Sequence, residues 1–203
     1  MNDIADIILS IPVFLLAISF HEYAHAYTAV RLGDPTPERQ GRLTLNFMSH
    51  ISLPGILTLL LAGIGWAKPV QVMPQNFRNP NTGMLLVSVA GPAANLALAV
   101  IFGLLFKVAV PILLRLDATY QDPLIMLLLI GVQLNLMLAV FNLFPIPPLD
   151  GSKILLTLLP GRLAAVYAAL EPYGFLVLFL LLRFGGLGSV LYTLTFQGMR
   201  LLL

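Results

Sequence analysis

A five-residue run, His21-Glu22-Tyr23-Ala24-His25, places two imidazoles and a carboxylate inside an otherwise apolar stretch. Residues i and i+4 share one face of an α-helix, so His21 and His25 can converge on one metal ion. Glu22 lies beside them, where a metal-activated water needs a base. Ionisable groups in hydrocarbon are costly unless they are paired, metallated or functional. The run therefore predicts a zinc-dependent hydrolytic site inside a membrane.

A third protein ligand is expected, because a catalytic zinc site takes three side chains and leaves one position for water. Asp150 is the strongest candidate, since it follows three prolines in residues 145–148 and precedes Gly151. A backbone broken in this way can present a carboxylate to the interior of a helix bundle. Asp34 and Glu38 lie in a polar loop, where a solvated role is expected. The alternatives that position alone leaves open are His50 and Glu171.

The composition is that of an integral membrane protein. Charged residues make up 10% of the 203 residues, against roughly 25% in soluble proteins, and 59% are hydrophobic. The chain reads as one domain, residues 1–203, with no linker or shift in composition. It has no cysteine, which excludes disulfides and thiolate ligands, and no basic cluster with aromatics, which argues against nucleic-acid binding. Asp3 and Asp6 replace the basic start of a cleavable signal, so none is expected.

The elements that must position the chemistry are helices, and the fold class predicted is an all-α polytopic membrane protein with about five to six transmembrane helices. The first helix holds the histidines and ends near Gly33 and Pro35. A short helix is expected at 152–159, after the three prolines. The predicted crossings are residues 4–30, 83–106, 124–144, 163–182 and 187–203.

Three features are predicted between the first two spanning helices. Residues 41–46 and 67–72 alternate in polarity and suggest short membrane-associated β-strands. Residues 51–65 are apolar but short, and they contain a proline and three glycines, so a re-entrant segment is expected. The metal hypothesis requires this segment not to cross, because a crossing would put Asp150 on the opposite side of the bilayer from His21.

The basic residues are distributed unequally between the two sides of this topology. The positive-inside rule then places the multi-pass chain in the cytoplasmic membrane, with the N-terminus outside and the active site towards the cytoplasm. The side with fewer cations has Lys107, Arg115 and Arg183, with Asp3, Asp6, Asp117 and Asp122. The other side collects Arg31, Arg39, Arg42, Lys68, Arg78, Lys153, Arg162 and Arg200.

Two motifs in the correct order resemble those of the site-2 proteases, intramembrane zinc metalloproteases that cut membrane-associated substrates. The family's HExxH helix corresponds to His21-Glu-Tyr-Ala-His25, and its NxxPxPxLDG segment to Asn142-Leu-Phe-Pro-Ile-Pro-Pro-Leu-Asp-Gly151. Residues 41–46, 65–70 and 91–95 are similar to the compact branch of the family, without a PDZ or nucleotide-binding module. The resemblance covers most of residues 1–160.

The resemblance implies that His21, His25 and Asp150 bind zinc and that Glu22 is the catalytic base. It also implies that Asn142 lies near the substrate, where it holds an unwound segment or the oxyanion of the reaction. Asn46 and Asn95 are further candidates for substrate contact, although Asn46 could instead cap a turn and Asn95 could bridge helices. The expected partners are a membrane protein substrate and the lipid bilayer.

Two functions from other classes compete with proteolysis. A non-catalytic metal-binding scaffold, such as an inactive homologue, would keep the ligands but has little reason to keep Glu22. A metal transporter would carry polar groups along the whole membrane depth, whereas here they cluster towards one side. The sequence does not identify a substrate.

Overall fold

The computed structural model describes residues 4–52, 68–115 and 118–203. These residues form helices joined by turns and short 3₁₀ segments. In chain order the helices are α1 (Ile4–Arg31), α2 (Thr36–Arg39), α3 (Pro80–Leu113), α4 (Ala118–Asn142), α5 (Asp150–Leu158), α6 (Gly161–Ala168), α7 (Gly174–Arg183) and α8 (Leu187–Leu202). The 3₁₀ segments are Phe47–Ser49, Pro74–Asn76 and Glu171–Tyr173. The all-helical class is therefore as predicted.

Four stretches of the described residues are long and apolar enough to cross a membrane. They are Ile7–Arg31, Pro80–Leu113, Gln121–Asn142 and Gly161–Arg183. The prediction of five to six crossings is therefore wrong for the part of the chain that the structure describes. The last predicted crossing corresponds to α8, whose 16 residues extend only about 24 Å, short of the roughly 30 Å hydrocarbon core.

The two predicted β-strands are absent from the described residues. Residues 41–46 and 68–72 contain turns, bends and irregular backbone without a strand ladder. Local polar contacts take the place of a ladder: the Asn46 side chain caps the following 3₁₀ segment and accepts a hydrogen bond from the Met48 N–H. In the second segment the Val70 N–H donates to a carboxylate of α1. In these two segments, residues that alternate in polarity therefore make capping and side-chain contacts in place of a strand ladder.

The predicted re-entrant segment cannot be compared with the structure in the same way. Its residues 53–65, and Ala67 of the second predicted strand, lie outside the described residues. Where the described chain resumes, the Lys68 N–H donates to the His50 carbonyl at 2.8 Å. The prediction that residues 51–65 do not cross therefore stays a prediction.

Helices α1, α3 and α4 pack together and build the interior of the protein. Small residues allow this close approach, because Ala17 and Ala99 are fully buried where the helices meet. A methyl group at Gly131 on α4 would collide with the Phe102 ring of α3, so this crossing also requires a residue without a side chain. The outward faces expose Leu, Ile, Val and Phe side chains, as expected of helices that face lipid.

Two helix ends bring the chain back to this interior. Helix α1 ends at Arg31, and Gly33 follows it with a φ of +106°, which glycine readily adopts; the Asp34 N–H then donates to the Ala29 carbonyl at 3.0 Å. Helix α4 ends at Asn142, and a proline-rich turn leads directly into α5, which begins at Asp150. A Cβ at Gly151 would overlap the Leu143 carbonyl, so the turn closes tightly on the end of α4.

Candidate metal centre

Two imidazoles from α1 and one carboxylate from the start of α5 meet between the helices. The His21 and His25 Nε2 atoms are 3.0 Å apart, and Asp150 Oδ2 lies 3.2 Å from the first and 3.1 Å from the second. All three residues are buried. Among the described residues, they form the one group of this kind close enough to hold a single metal ion. The local i, i+4 spacing and the turn before α5 produce this arrangement.

The hydrogen bonds behind the two imidazoles determine where their protons lie. His21 Nδ1 is 2.6 Å from Asn95 Oδ1, and His25 Nδ1 is 2.7 Å from the Val87 carbonyl oxygen. Both partners are acceptors, so each Nδ1–H donates and each neutral ring keeps a lone pair on Nε2. The same pattern of outer hydrogen bonds orients histidine ligands in metal sites.

The donor set fits a zinc ion. When both rings are neutral, two Nε2 lone pairs and one carboxylate oxygen face one another within 3.2 Å, and none of the three can donate a hydrogen bond to another. A cation between them relieves this repulsion. With zinc–ligand bonds of about 2.0 Å, the ligand atoms of a tetrahedral site are about 3.3 Å apart, close to the spacing here. Two histidines and an aspartate would leave one position open.

Asn95 supports His21 from behind. Its Nδ2 donates to the Ala17 carbonyl at 3.0 Å and to Asn135 Oδ1 at 3.1 Å. Because a carbonyl only accepts, these bonds turn Asn95 Oδ1 towards His21. The Asn135 Nδ2 in turn donates to the Gly131 carbonyl at 2.9 Å, and both asparagines are fully buried. The structure therefore places Asn95 against a proposed ligand and away from the cavity where a substrate would lie.

Asn135 is absent from the residues that the sequence pointed to. The available signal was its position, since a polar amide lies near the middle of an apolar helix where polar groups usually have a purpose. The pairing of Asn135 with Asn95 depends on the packing of α3 against α4, which sequence spacing does not give.

Gly91 gives α3 its close approach to the imidazoles. A Cβ built at this position would lie 2.7 Å from His21 Cε1 and Nε2, and it would overlap His25 Nε2. Any larger residue would have to displace the histidines or the helix. The face of α3 that carries Gly91 and, one turn later, Asn95 therefore forms one wall of the centre.

A cavity of about 720 Å³ opens beside the three ligand-type residues. Glu22 lies on its wall, and Glu22 Oε2 accepts a hydrogen bond from the Val70 N–H at 3.1 Å. Lys153 also lines the cavity, and its Nζ is 3.4 Å from Asp150 Oδ1. The remaining wall is mostly apolar, with Phe14, Ile18, Met84, Val87, Leu138, Phe141 and Phe175. The arrangement suits an apolar peptide next to a charged centre.

The other two asparagines that the sequence pointed to occupy different environments. Asn142 lines the cavity, and its Nδ2 donates to the Leu138 carbonyl at 2.9 Å, so its Oδ1 is turned away from that bond. Asn46 is exposed and caps the 3₁₀ segment Phe47–Ser49. The structure therefore brings Asn142 to the cavity and assigns Asn46 a capping contact.

The alternative ligands that the sequence left open lie apart from this centre. His50 is fully buried, and its Nε2 is 2.8 Å from the Thr44 carbonyl oxygen, so it holds a loop. Glu38 and Glu171 are exposed. None of the three belongs to the metal-type group that the described residues form.

Asp34 fastens the segment that carries Val70. Its Oδ1 accepts from the Thr36 N–H, the Thr36 hydroxyl and Asn76 Nδ2, and its Oδ2 accepts from the Met73 N–H at 2.7 Å. Burial by itself raises the pKa of Asp34, but the hydrogen bonds from Met73, Thr36 and Asn76 outweigh it and hold the pKa below its usual value. Asp34 is thus a structural anchor.

Comparison with known proteins gives consistent matches. The model of peptidase family M50 matches residues 105–182. The chain is 43% identical over 179 residues to a Bacillus subtilis protein named "Putative zinc metalloprotease YwhC", covering 87% of this chain and 81% of that protein. It is 34% identical over 185 residues to "Putative zinc metalloprotease Rip2" of Mycolicibacterium smegmatis, covering 86% of this chain and 66% of that one. No solved structure matches the chain.

Proposed function

The chain belongs to peptidase family M50, the site-2 protease family, and on this premise we propose that it is an intramembrane zinc metalloprotease. Its substrates would be membrane-associated proteins, and the bond hydrolysed would be a peptide bond. The observation that carries the proposal is the meeting of His21, His25 and Asp150, with Nε2 lone pairs turned inward and Glu22 next to them on the cavity wall.

Each of these residues has a defined role in the proposal. His21, His25 and Asp150 would hold the zinc ion, which would supply Lewis-acid polarisation of the scissile carbonyl and acidify water. Glu22 accepts the proton of the attacking water and delivers it to the leaving amine. The Val70 N–H bond at Glu22 Oε2 fixes the orientation of that carboxylate. Asn95 keeps His21 in the tautomer that leaves its Nε2 lone pair available.

The substrate must unwind locally before it is cut, because a helix hides its carbonyls in internal hydrogen bonds. Residues 68–72 offer irregular backbone beside the centre, and Val70 and Val72 line the cavity. An extended segment of substrate can form backbone hydrogen bonds with residues 68–72, although these residues form no strand without the substrate. Asn142, which lines the same cavity, is proposed to accept a hydrogen bond from the unwound chain.

The proposal is tested by Glu22→Gln, which keeps the shape of the side chain but removes its basicity. Cleavage of single-span membrane proteins in proteoliposomes should fall about 10²–10⁴-fold while the zinc content stays at the wild-type value. Glu38→Gln, the same change at an exposed glutamate of α2, is the matched control and should cut at the wild-type rate. Turnover retained in Glu22→Gln would refute the role of base. Zinc retention without cleavage in the wild type would favour a non-catalytic scaffold.

The orientation in the membrane is a second part of the proposal. The excess of Lys and Arg on one side supports a cytoplasmic active site and an external N-terminus in the cytoplasmic membrane. The chain has no cysteine, so single cysteines give clean labels. A membrane-impermeant maleimide added to intact cells should label Arg115→Cys, whereas Glu38→Cys should react only after the cells are opened. The reverse pattern would contradict the orientation.

A further inference from the structure

Hydroxyl groups on the helices of this protein mostly bond back to their own helix. A hydroxyl that donates to the carbonyl three or four residues earlier is satisfied without any other partner. Ser10, Ser19, Ser152, Thr157, Ser189 and Thr193 all do so. Ser88 on α3 differs, because its Oγ is buried and has no hydrogen-bond partner. Among the hydroxyls of the described residues, Thr195 on α8 is the other with this property.

The two unpartnered hydroxyls lie in different surroundings. Ser88 lines the cavity of the proposed active site together with Glu22 and His25. It comes directly after Val87, whose carbonyl oxygen holds His25 Nδ1 at 2.7 Å. Thr195 is buried on α8, outside that cavity wall. Ser88 is therefore a residue of the cavity wall that also has a buried donor without a partner.

The position of Ser88 along α3 supports the same conclusion. Ser88, Gly91 and Asn95 are spaced by three and four residues, so they share one face of the helix. Asn95 bonds to His21, and Gly91 makes the close approach to both imidazoles. Ser88 thus lies about one turn before the metal centre on the face that is directed at it.

The remaining polar groups of the cavity explain what this hydroxyl would bind. Glu22, Asp150 and the two Nε2 atoms have no hydrogen to donate to a peptide carbonyl. The donors of Lys153 and Asn142 on the same wall are directed at Asp150 and at the Leu138 carbonyl. We propose that the Ser88 hydroxyl donates a hydrogen bond to a backbone carbonyl of the bound peptide next to the scissile bond. This inference rests on the proposed protease function. A buried donor left without a partner is unfavourable, and binding of a peptide removes that cost.

The test uses a fluorescent apolar tripeptide that ends in a hydroxamate, a group that chelates zinc. Its dissociation constant is measured by anisotropy with zinc-loaded wild type, Ser88→Ala and Thr195→Val in detergent micelles. Ser88→Ala should bind the probe about threefold to tenfold more weakly, because one hydrogen bond to the peptide is lost. Its zinc content should equal that of the wild type. Thr195→Val, which also removes a buried unpartnered hydroxyl, should bind as the wild type does, and Ser88→Thr should restore most of the affinity.

The other outcomes separate this inference from the proposed function. Equal affinity of Ser88→Ala and wild type, with zinc present in both, overturns the role of Ser88 and leaves the protease proposal intact. Loss of zinc from Ser88→Ala, or equal weakening in Thr195→Val, also overturns it, because the hydroxyl would then act through packing. A wild-type protein that holds zinc under chelator-free conditions but binds no hydroxamate overturns both proposals.

Discussion

The two sides of the cavity are held in contrasting ways. The metal wall consists of His21, His25 and Asp150, which line the cavity, and of Asn95 and Asn135 behind them, and its parts are joined by buried side chains on helices. The loop wall, residues 68–76, is joined to the rest by backbone N–H groups that donate to the carboxylates of Glu22 and Asp34. Substitutions that change the shape of a side chain or remove an amide should therefore perturb the metal wall. Changes that neutralise a carboxylate should perturb the loop wall.

The largest effect is expected at the metal wall, where Asp150→Ala removes one of the three proposed ligands. Zinc affinity should fall by at least about 100-fold, because two imidazoles alone offer little of the binding free energy of a three-ligand site. Metal content after dialysis against a weak chelator, measured by mass spectrometry, checks this. Asp34→Ala is the control and should keep its zinc. If Asp150→Ala holds zinc as tightly as the wild type, the three-residue centre is wrong.

A smaller loss of zinc affinity is expected when the hydrogen bond that orients His21 is removed. Asn95→Ala leaves the His21 Nδ1–H without its acceptor and should lower zinc affinity about 10–100-fold. Asn135→Ala acts only through Asn95, so its effect on zinc affinity should be weaker than that of Asn95→Ala. Competition with a fluorescent zinc indicator measures both. An Asn135 effect as large as that of Asn95 would mean that the two asparagines serve the packing of α3 on α4 instead.

The loop wall should loosen at acid pH through Asp34. Because the folded state lowers the pKa of Asp34, its hydrogen bonds contribute fully above about pH 4 and are lost as the pH falls through the lowered value. Hydrogen exchange in peptides covering residues 69–77, corrected for intrinsic rates, should therefore accelerate at acid pH. Asp34→Asn should show faster exchange already at neutral pH, with little further change on acidification. Protection that is unaffected by both the substitution and acid would refute this anchor.

Much of the metal wall could be predicted from the sequence, because the information is local. The i, i+4 histidines need only a helix, and Asp150 needs only a chain broken by prolines just before it. Helix α3 was also expected, although it starts earlier and ends later than predicted, at Pro80 and Leu113. Pro80 lies at the first position of that helix, where proline is well tolerated.

The loop wall was predicted wrongly for a physical reason. Alternating polarity in residues 68–72 indicates a strand only if the backbone pairs with a neighbouring strand. Here the Val70 and Met73 N–H groups donate instead to the carboxylates of Glu22 and Asp34. Asn95 illustrates the same limit, since nothing near it in sequence shows that its oxygen meets His21. Contacts across 74 residues depend on packing that a single sequence does not contain.

The order in which the chain is synthesised gives the metal centre a further property. The histidines of α1 emerge first, and their Asp150 partner follows 125 to 129 residues later. At about 5–20 residues per second, the ribosome needs roughly 6–26 seconds to make that interval. For the first part of it α1 carries two imidazoles and a carboxylate without partners, since Val70, Val87 and Asn95 are made 48 to 74 residues after the groups that they bond, and hydrocarbon tolerates such groups poorly. The helix that carries the two imidazoles is therefore also one whose insertion into the bilayer is costly to complete alone.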